Sequence, residues 1–164
     1  MSEKSFVSSE SVFFEDVLAI LRKSRQKAYR AVNSSMVEAY WLIGKRIIVE
    51  EQKGKDRAKY GEKLIRNISI QLNKEFGKGF SYANLKNFRQ FYITFANDEK
   101  GYTLCSLLSW SHIRLIMRLD DRITREYYLT EAREQDWSVR QVESDTEYHC
   151  EMRASYSAKH GEGS

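Results

Sequence analysis

The chain has 164 residues, 41% hydrophobic, 30% charged and 13% aromatic, with no proline and a formal net charge of +4. That is enough length for one domain with its own core, and too much apolar content for a wholly disordered chain. No apolar run approaches the roughly 20 residues that span a membrane, residues 1–7 lack the layout of a secretory signal, and Cys105 and Cys150 are too few for a disulfide framework. The expectation is a cytoplasmic, all-α protein.

In chain order, Phe14, Val17, Leu18 and Leu21 form a helical stripe. Tyr29, Val32, Met36, Tyr40, Ile43 and Ile47 form another, in steps of three and four. Together they predict one long helix over 11–51, or two nearly collinear ones with a weak point at residues 33–35. The uneven steps suit a buried core helix better than a strict coiled-coil seam. A polar connection with Gly54 follows, then a second helix over 60–76 carrying Tyr60, Leu64, Ile65, Ile68, Leu72 and Phe76. Gly77 can end that helix and Ser81 can cap the next, which runs over 81–97 and buries Leu85, Phe88, Phe91, Tyr92 and Phe95. Residues 98–106 read as a loop. Ser109 or Ser111 caps a fourth helix through Leu119, a fifth runs over about 122–135, and another starts at Ser138. From Ser144 to Ser164 there is no Leu, Ile, Val, Phe or Trp, which predicts a disordered polar tail after a domain over 10–143.

The modest net charge hides a segregation. Between Lys53 and Arg89 ten basic residues face three acidic ones, so this stretch carries +7 and the rest of the chain −3. It contains the most suggestive local feature, a helix-turn-helix-like unit at 60–97. In a DNA-binding unit of that kind the second helix presents its outer face to the major groove. With Leu85, Phe88, Tyr92 and Phe95 inward, Tyr82, Lys86, Asn87 and Gln90 fall outward and can reach base edges. Lys74, Lys78 and Arg89 would meet phosphates. A plain helical hairpin with a polar face produces the same pattern. A second basic run, Arg22, Lys23, Arg25, Lys27 and Arg30, contains no acid; it could extend a phosphate track or be a solvated helix face.

Catalytic signals are weak. Glu51-Gln52-Lys53 and Asp98-Glu99-Lys100 match half of a PD-(D/E)XK nuclease pattern, in which carboxylates hold magnesium beside an activated water, but both lie outside any strand scaffold. His112, His149 and His160 have no metal-ligand spacing, and no phosphate-binding Gly-rich loop or Ser/His/Asp arrangement occurs. The expectation is a non-enzyme with no catalytic residues, metal or cofactor. Its partner would be double-stranded DNA, with no membrane and no small-molecule substrate. The alternative is an interaction module that dimerises through its long N-terminal helix.

Several segments together carry a family resemblance: Val32–Ile47 (VNSSMVEAYWLIGKRI), Tyr60-Gly61, Phe76–Ser81 (FGKGFS), Asn84-Leu85, Arg89–Tyr92 (RQFY), Leu108–His112 (LSWSH) and Trp137–Gln141 (WSVRQ). They resemble the N-terminal helical domain of YhcG-type bacterial proteins, in the right order over residues 15–143. In that family the domain precedes a C-terminal PD-(D/E)XK nuclease domain. The resemblance implies a bacterial cytoplasmic protein tied to DNA transactions, with this domain as a targeting module, and it imports no catalytic residue. The departure is at the C-terminus, where the family continues with a hydrophobic helix and this chain turns polar at about Ser144. That departure predicts a truncated, frameshifted or stand-alone version.

Overall fold

The computed structural model describes residues 3–54 and 56–160, with side chains described for 10–54, 56, 58–155 and 158. Among them are seven α-helices and no strand, in agreement with the expected all-α class. Helix α1 spans Glu3–Glu51, α2 Arg57–Phe76, α3 Tyr82–Phe95, α4 Glu99–Cys105, α5 Trp110–Ile116, α6 Arg122–Glu134 and α7 Val139–His160. A single 3-10 turn, Lys78–Phe80, lies between α2 and α3.

Helix α3 is the centre of the fold because one of its faces is entirely apolar. Leu85, Phe88, Phe91 and Phe95 are fully buried, each side chain contributing about 2–3 kcal/mol of transfer free energy. They pack against the C-terminal third of α1. The crossing is close because Gly44 has no side chain: a Cβ there would lie 2.0 Å from the Phe88 carbonyl oxygen. Ile47, Ile65, Leu85 and Phe88 form one core beneath α1, α2 and α3. A larger core gathers Val37, Phe91 and Phe95 with residues of α4 to α7, including Ile113, Tyr128, Leu129 and Val142. Trp110 packs against both cores, with its ring 5.2 Å from Phe88 and 5.5 Å from Phe91.

The long helix is continuous, with no break at 33–35. Its stripe is not buried throughout, however. Val37 and Ile47 are core residues, whereas Tyr29, Val32 and Met36 are exposed, as are Phe14, Val17 and Leu21. Tyr29 borders a cleft opposite Trp137, and the other side chains are left 37–61% exposed. The expected core helix is therefore a core helix only from residue 37 onward.

The expected loop at 98–106 is helix α4. Asp98 caps it, accepting the Gly101 N–H at 3.0 Å, and also pairs with Arg122 at 3.3 Å. Gly101 is buried where a Cβ would lie 2.8 Å from the Phe95 ring, so this glycine marks close packing and not a loop.

The polar segment from 144 is helical through residue 160, contrary to the expected disorder. It needs no aliphatic residues because Val142 anchors its first turn, and polar contacts carry the next ones. Tyr128 Oη donates to the Asp145 carboxylate at 2.9 Å, Thr146 is buried and donates to the Val142 carbonyl at 2.8 Å, and Arg153 lies 3.5 Å from Asp121. Residues 161–164 of the expected tail lie outside the described residues.

Candidate nucleic-acid interface

The geometry of the α2–α3 unit is set by its turn. Asp56 caps α2 and Ser81 caps α3, its hydroxyl accepting the Asn84 N–H at 3.2 Å. Gly77 takes φ +86° and ψ −165°, a region essentially confined to glycine, and its N–H closes α2 on the Asn73 carbonyl. Ser69 Oγ donates to the Phe80 carbonyl at 3.0 Å, and Asn84 Nδ2 donates to the Gly79 carbonyl at 2.9 Å. These bonds fix the direction in which α3 leaves the turn.

With its apolar face on α1, α3 presents the opposite strip to solvent. Lys86 and Gln90 are exposed; Tyr82, Asn87 and Arg89 are half-buried. All five line one open groove of about 340 Å³ between α3, the start of α2 and the end of α1. Asn87 and Gln90 also border a second depression, about 560 Å³, whose far side carries Arg118 and Arg125. The polar strip of α3 thus runs between two depressions. Lys74 and Lys78 are exposed but lie at the end of α2 and in the 3-10 turn, outside both.

Charge in the first groove is partly committed. Arg89 Nε donates to both oxygens of Glu51, at 2.9 and 2.8 Å. Glu62 also lines the groove, opposite Lys86. Two cations stand over the Tyr82 ring, the Arg66 guanidinium 5.2 Å and the Lys86 ammonium 5.7 Å from its centroid. In the second depression Arg125 Nη1 donates to the Leu119 carbonyl at 2.6 Å, while Arg118 is exposed. Sequence reasoning missed Arg118 and Arg125. They lie some thirty residues downstream in a segment of mixed charge, and only the tertiary fold brings them to α3.

Both acidic triplets have structural occupations. Glu51 is paired with Arg89, Asp98 caps α4, and Lys100 pairs with Glu126. Among the described residues no three His, Cys, Asp or Glu side chains gather in a way that could hold a metal ion. His112 is half-buried at the start of α5; its Nδ1 lies 2.7 Å from Ser109 Oγ and its Nε2 2.9 Å from the Trp137 carbonyl. It therefore ties α5 to the turn between α6 and α7, and Ser109, which stands at the N-cap, makes no side-chain capping bond.

Fold and groove together define an all-α domain with a projecting helical arm and a polar helix strip between two depressions. Residues 16–152 match the DUF1016 N-terminal domain, and the chain belongs to that family. It is 28% identical over 159 aligned residues to "Putative nuclease YhcG" of Escherichia coli (strain K12), covering 79% of this chain and 42% of that relative. The chain thus spans less than half the length of the relative. No solved structure matches it, and no helix among the described residues is long and apolar enough to cross a membrane.

Proposed function

We propose that this domain binds nucleic acid, double-stranded DNA first, as a non-catalytic targeting module of a cytoplasmic nuclease system. The observation that carries the reading is the exposed strip of α3, with Lys86, Asn87 and Gln90 between two depressions. Cations flank it, Arg66 beside Tyr82 on one side and Arg118 on the other, and Lys86 adds a third on the strip itself. A helix that enters a groove of a duplex needs this layout, with amide side chains for base edges and flanking cations for the two phosphate strands. Lys74 and Lys78 extend the cationic rim beyond the turn. The relative's name supports a nuclease setting, and in this reading catalysis belongs to a region that this chain does not share with it.

The test is fluorescence anisotropy of a labelled duplex against the purified protein over a salt series, with magnesium added last and a gel to look for cuts. Binding should be micromolar or tighter at low salt and fall steeply as salt rises, without cleavage. Lys86→Glu and Arg118→Glu should each weaken binding at least tenfold with folding intact, because both side chains are exposed. Absence of binding at low salt overturns the reading; magnesium-dependent cleavage overturns its non-catalytic part.

A second reading, an interaction module with no direct DNA contact, is favoured by one observation. Nine large apolar side chains on α1 between Val12 and Met36 are exposed, more than a free monomer surface ordinarily gathers on one element.

A further inference from the structure

The upstream half of α1 carries an apolar stripe that the fold leaves uncovered. Phe14, Val17 and Leu21 are 37–60% exposed. At roughly 100° per residue, these three and Ala28 fall within about 60° of arc. The face that packs into the bundle, with Val37, Gly44 and Ile47, lies roughly 130° away around the same helix. The stripe is therefore not an extension of the core face. The side of α1 nearer the bundle at 26–34 is mostly polar instead, with Gln26, Arg30, Asn33 and Ser34 lining a cleft of about 790 Å³ opposite Trp137. Helices in proteins draw most of their stability from packing an apolar face, so the stripe calls for a cover of its own.

The charge along the same segment indicates what covers it. Residues 10–16 hold Glu10, Glu15 and Asp16 and no base, and residues 22–30 hold five bases and no acid, with the apolar block between them. The segment is electrostatically self-complementary when two copies run in opposite directions. On the stripe's own side of the helix the charges are Glu10 and Arg25, and an antiparallel pair centred between Val17 and Leu18 sets each Glu10 beside the other copy's Arg25. A parallel, in-register pair would set Arg25 against Arg25 and Glu10 against Glu10.

We infer that residues 10–25 of α1 pair antiparallel with the same residues of a second copy of this chain, the stripe of Phe14, Val17 and Leu21 meeting itself about a two-fold axis between Val17 and Leu18. This makes the interaction reading specific, and it stands whether or not α3 binds DNA. Its assay contains no nucleic acid, so the two proposals fail separately.

Sedimentation velocity of the full chain from low micromolar to about 100 μM should show a reversible shift from 19.3 kDa toward twice that mass. The double variant Phe14→Glu/Leu21→Glu should stay monomeric throughout, with the cooperative unfolding of the bundle retained. Tyr148→Glu/Met152→Glu, which alters the exposed apolar pair of α7, should dimerise like the parent. Orientation is read by cross-linking in a Cys150→Ser background. Val17→Cys, near the axis, should form a disulfide-linked dimer. Ala28→Cys should not, since antiparallel pairing holds the two copies of that residue on the order of 30 Å apart. A parent monomeric at every concentration, a dimer that survives the double glutamate variant, or an efficient Ala28→Cys cross-link would each overturn the inference.

Discussion

Arg89 joins α3 to the last turn of α1 through Glu51, its Nε donating to both carboxylate oxygens at 2.9 and 2.8 Å. The Glu51 side chain is 9% exposed and that of Arg89 36%. Breaking a fully buried pair costs 3–5 kcal/mol because one charge is stranded; with a third of Arg89 in water, Arg89→Ala should cost about 2–3 kcal/mol. Arg89→Lys should cost nearly as much, since an ammonium does not reproduce the guanidinium geometry. Urea unfolding checks this, and a loss below about 0.5 kcal/mol would make the pair a solvent contact. Any loss of DNA binding in an Arg89 variant would be mixed with this destabilisation. Lys86 is therefore the cleaner probe of the same groove.

The approach of α1 to α3 at Gly44 gives the sharpest stability prediction. A Cβ at this position would lie 2.0 Å from the Phe88 carbonyl oxygen and 2.7 Å from its carbon, and backbone cannot rotate out of the way. Gly44→Ala should therefore destabilise the protein by about 3 kcal/mol or more, at the upper end for overpacking. Ala is otherwise preferred to Gly inside a helix by roughly 1 kcal/mol, so a neutral or stabilising result in denaturant titration would show that the helices are not in contact there.

The sequence made the helices legible where one face is apolar and a cap follows. Leu85, Phe88, Phe91 and Phe95 share one face of α3, and Gly77 and Ser81 mark the turn before it, so that unit was visible almost to the residue. The strip of Tyr82, Lys86, Asn87 and Gln90 followed from the same geometry. Helix α4 was hidden because its glycine is a packing residue. The extension of α7 was hidden because Tyr128 and Asp121, which hold it, come from α6 and its N-cap and are not its local neighbours. On α1 the periodicity of Tyr29, Val32 and Met36 is helical, but those side chains are exposed. Period identifies an apolar face and cannot tell whether the cover comes from the same chain. Arg118 and Arg125 lay beyond any local pattern.

The two cysteines should differ sharply in reactivity. Cys105 is fully buried, and burial, with the nearby Asp98 charge adding to it, pushes its thiol far above the ordinary range. Cys150 is exposed on α7. Because the thiolate is the reactive form, a thiol-specific chromogenic reagent at pH 8 should consume one equivalent quickly and the second only after addition of denaturant. Cys150→Ser should abolish the fast phase, and rapid reaction of both thiols in the native protein would show that the larger core opens readily.

Tyr128 predicts a loss of stability in alkali. Burial first, and then its hydrogen bond to the ionised Asp145 at 2.9 Å, hold the phenol well above its ordinary value of 10. The folded state thus keeps a proton that the unfolded chain releases above pH 10. This contribution is full below pH 10 and declines as pH rises past it, because there the unfolded state binds fewer protons than the folded one. Tyr128→Phe removes the titrating group and leaves the Asp145 side chain without its donor. The variant should be less stable at pH 8 by about 1 kcal/mol, the net worth of one hydrogen bond. Its stability should also fall less steeply than the parent's between pH 9.5 and 11 in urea titrations. Parallel declines in the two proteins would remove Tyr128 as the source of alkaline sensitivity and with it the polar tie between α6 and α7.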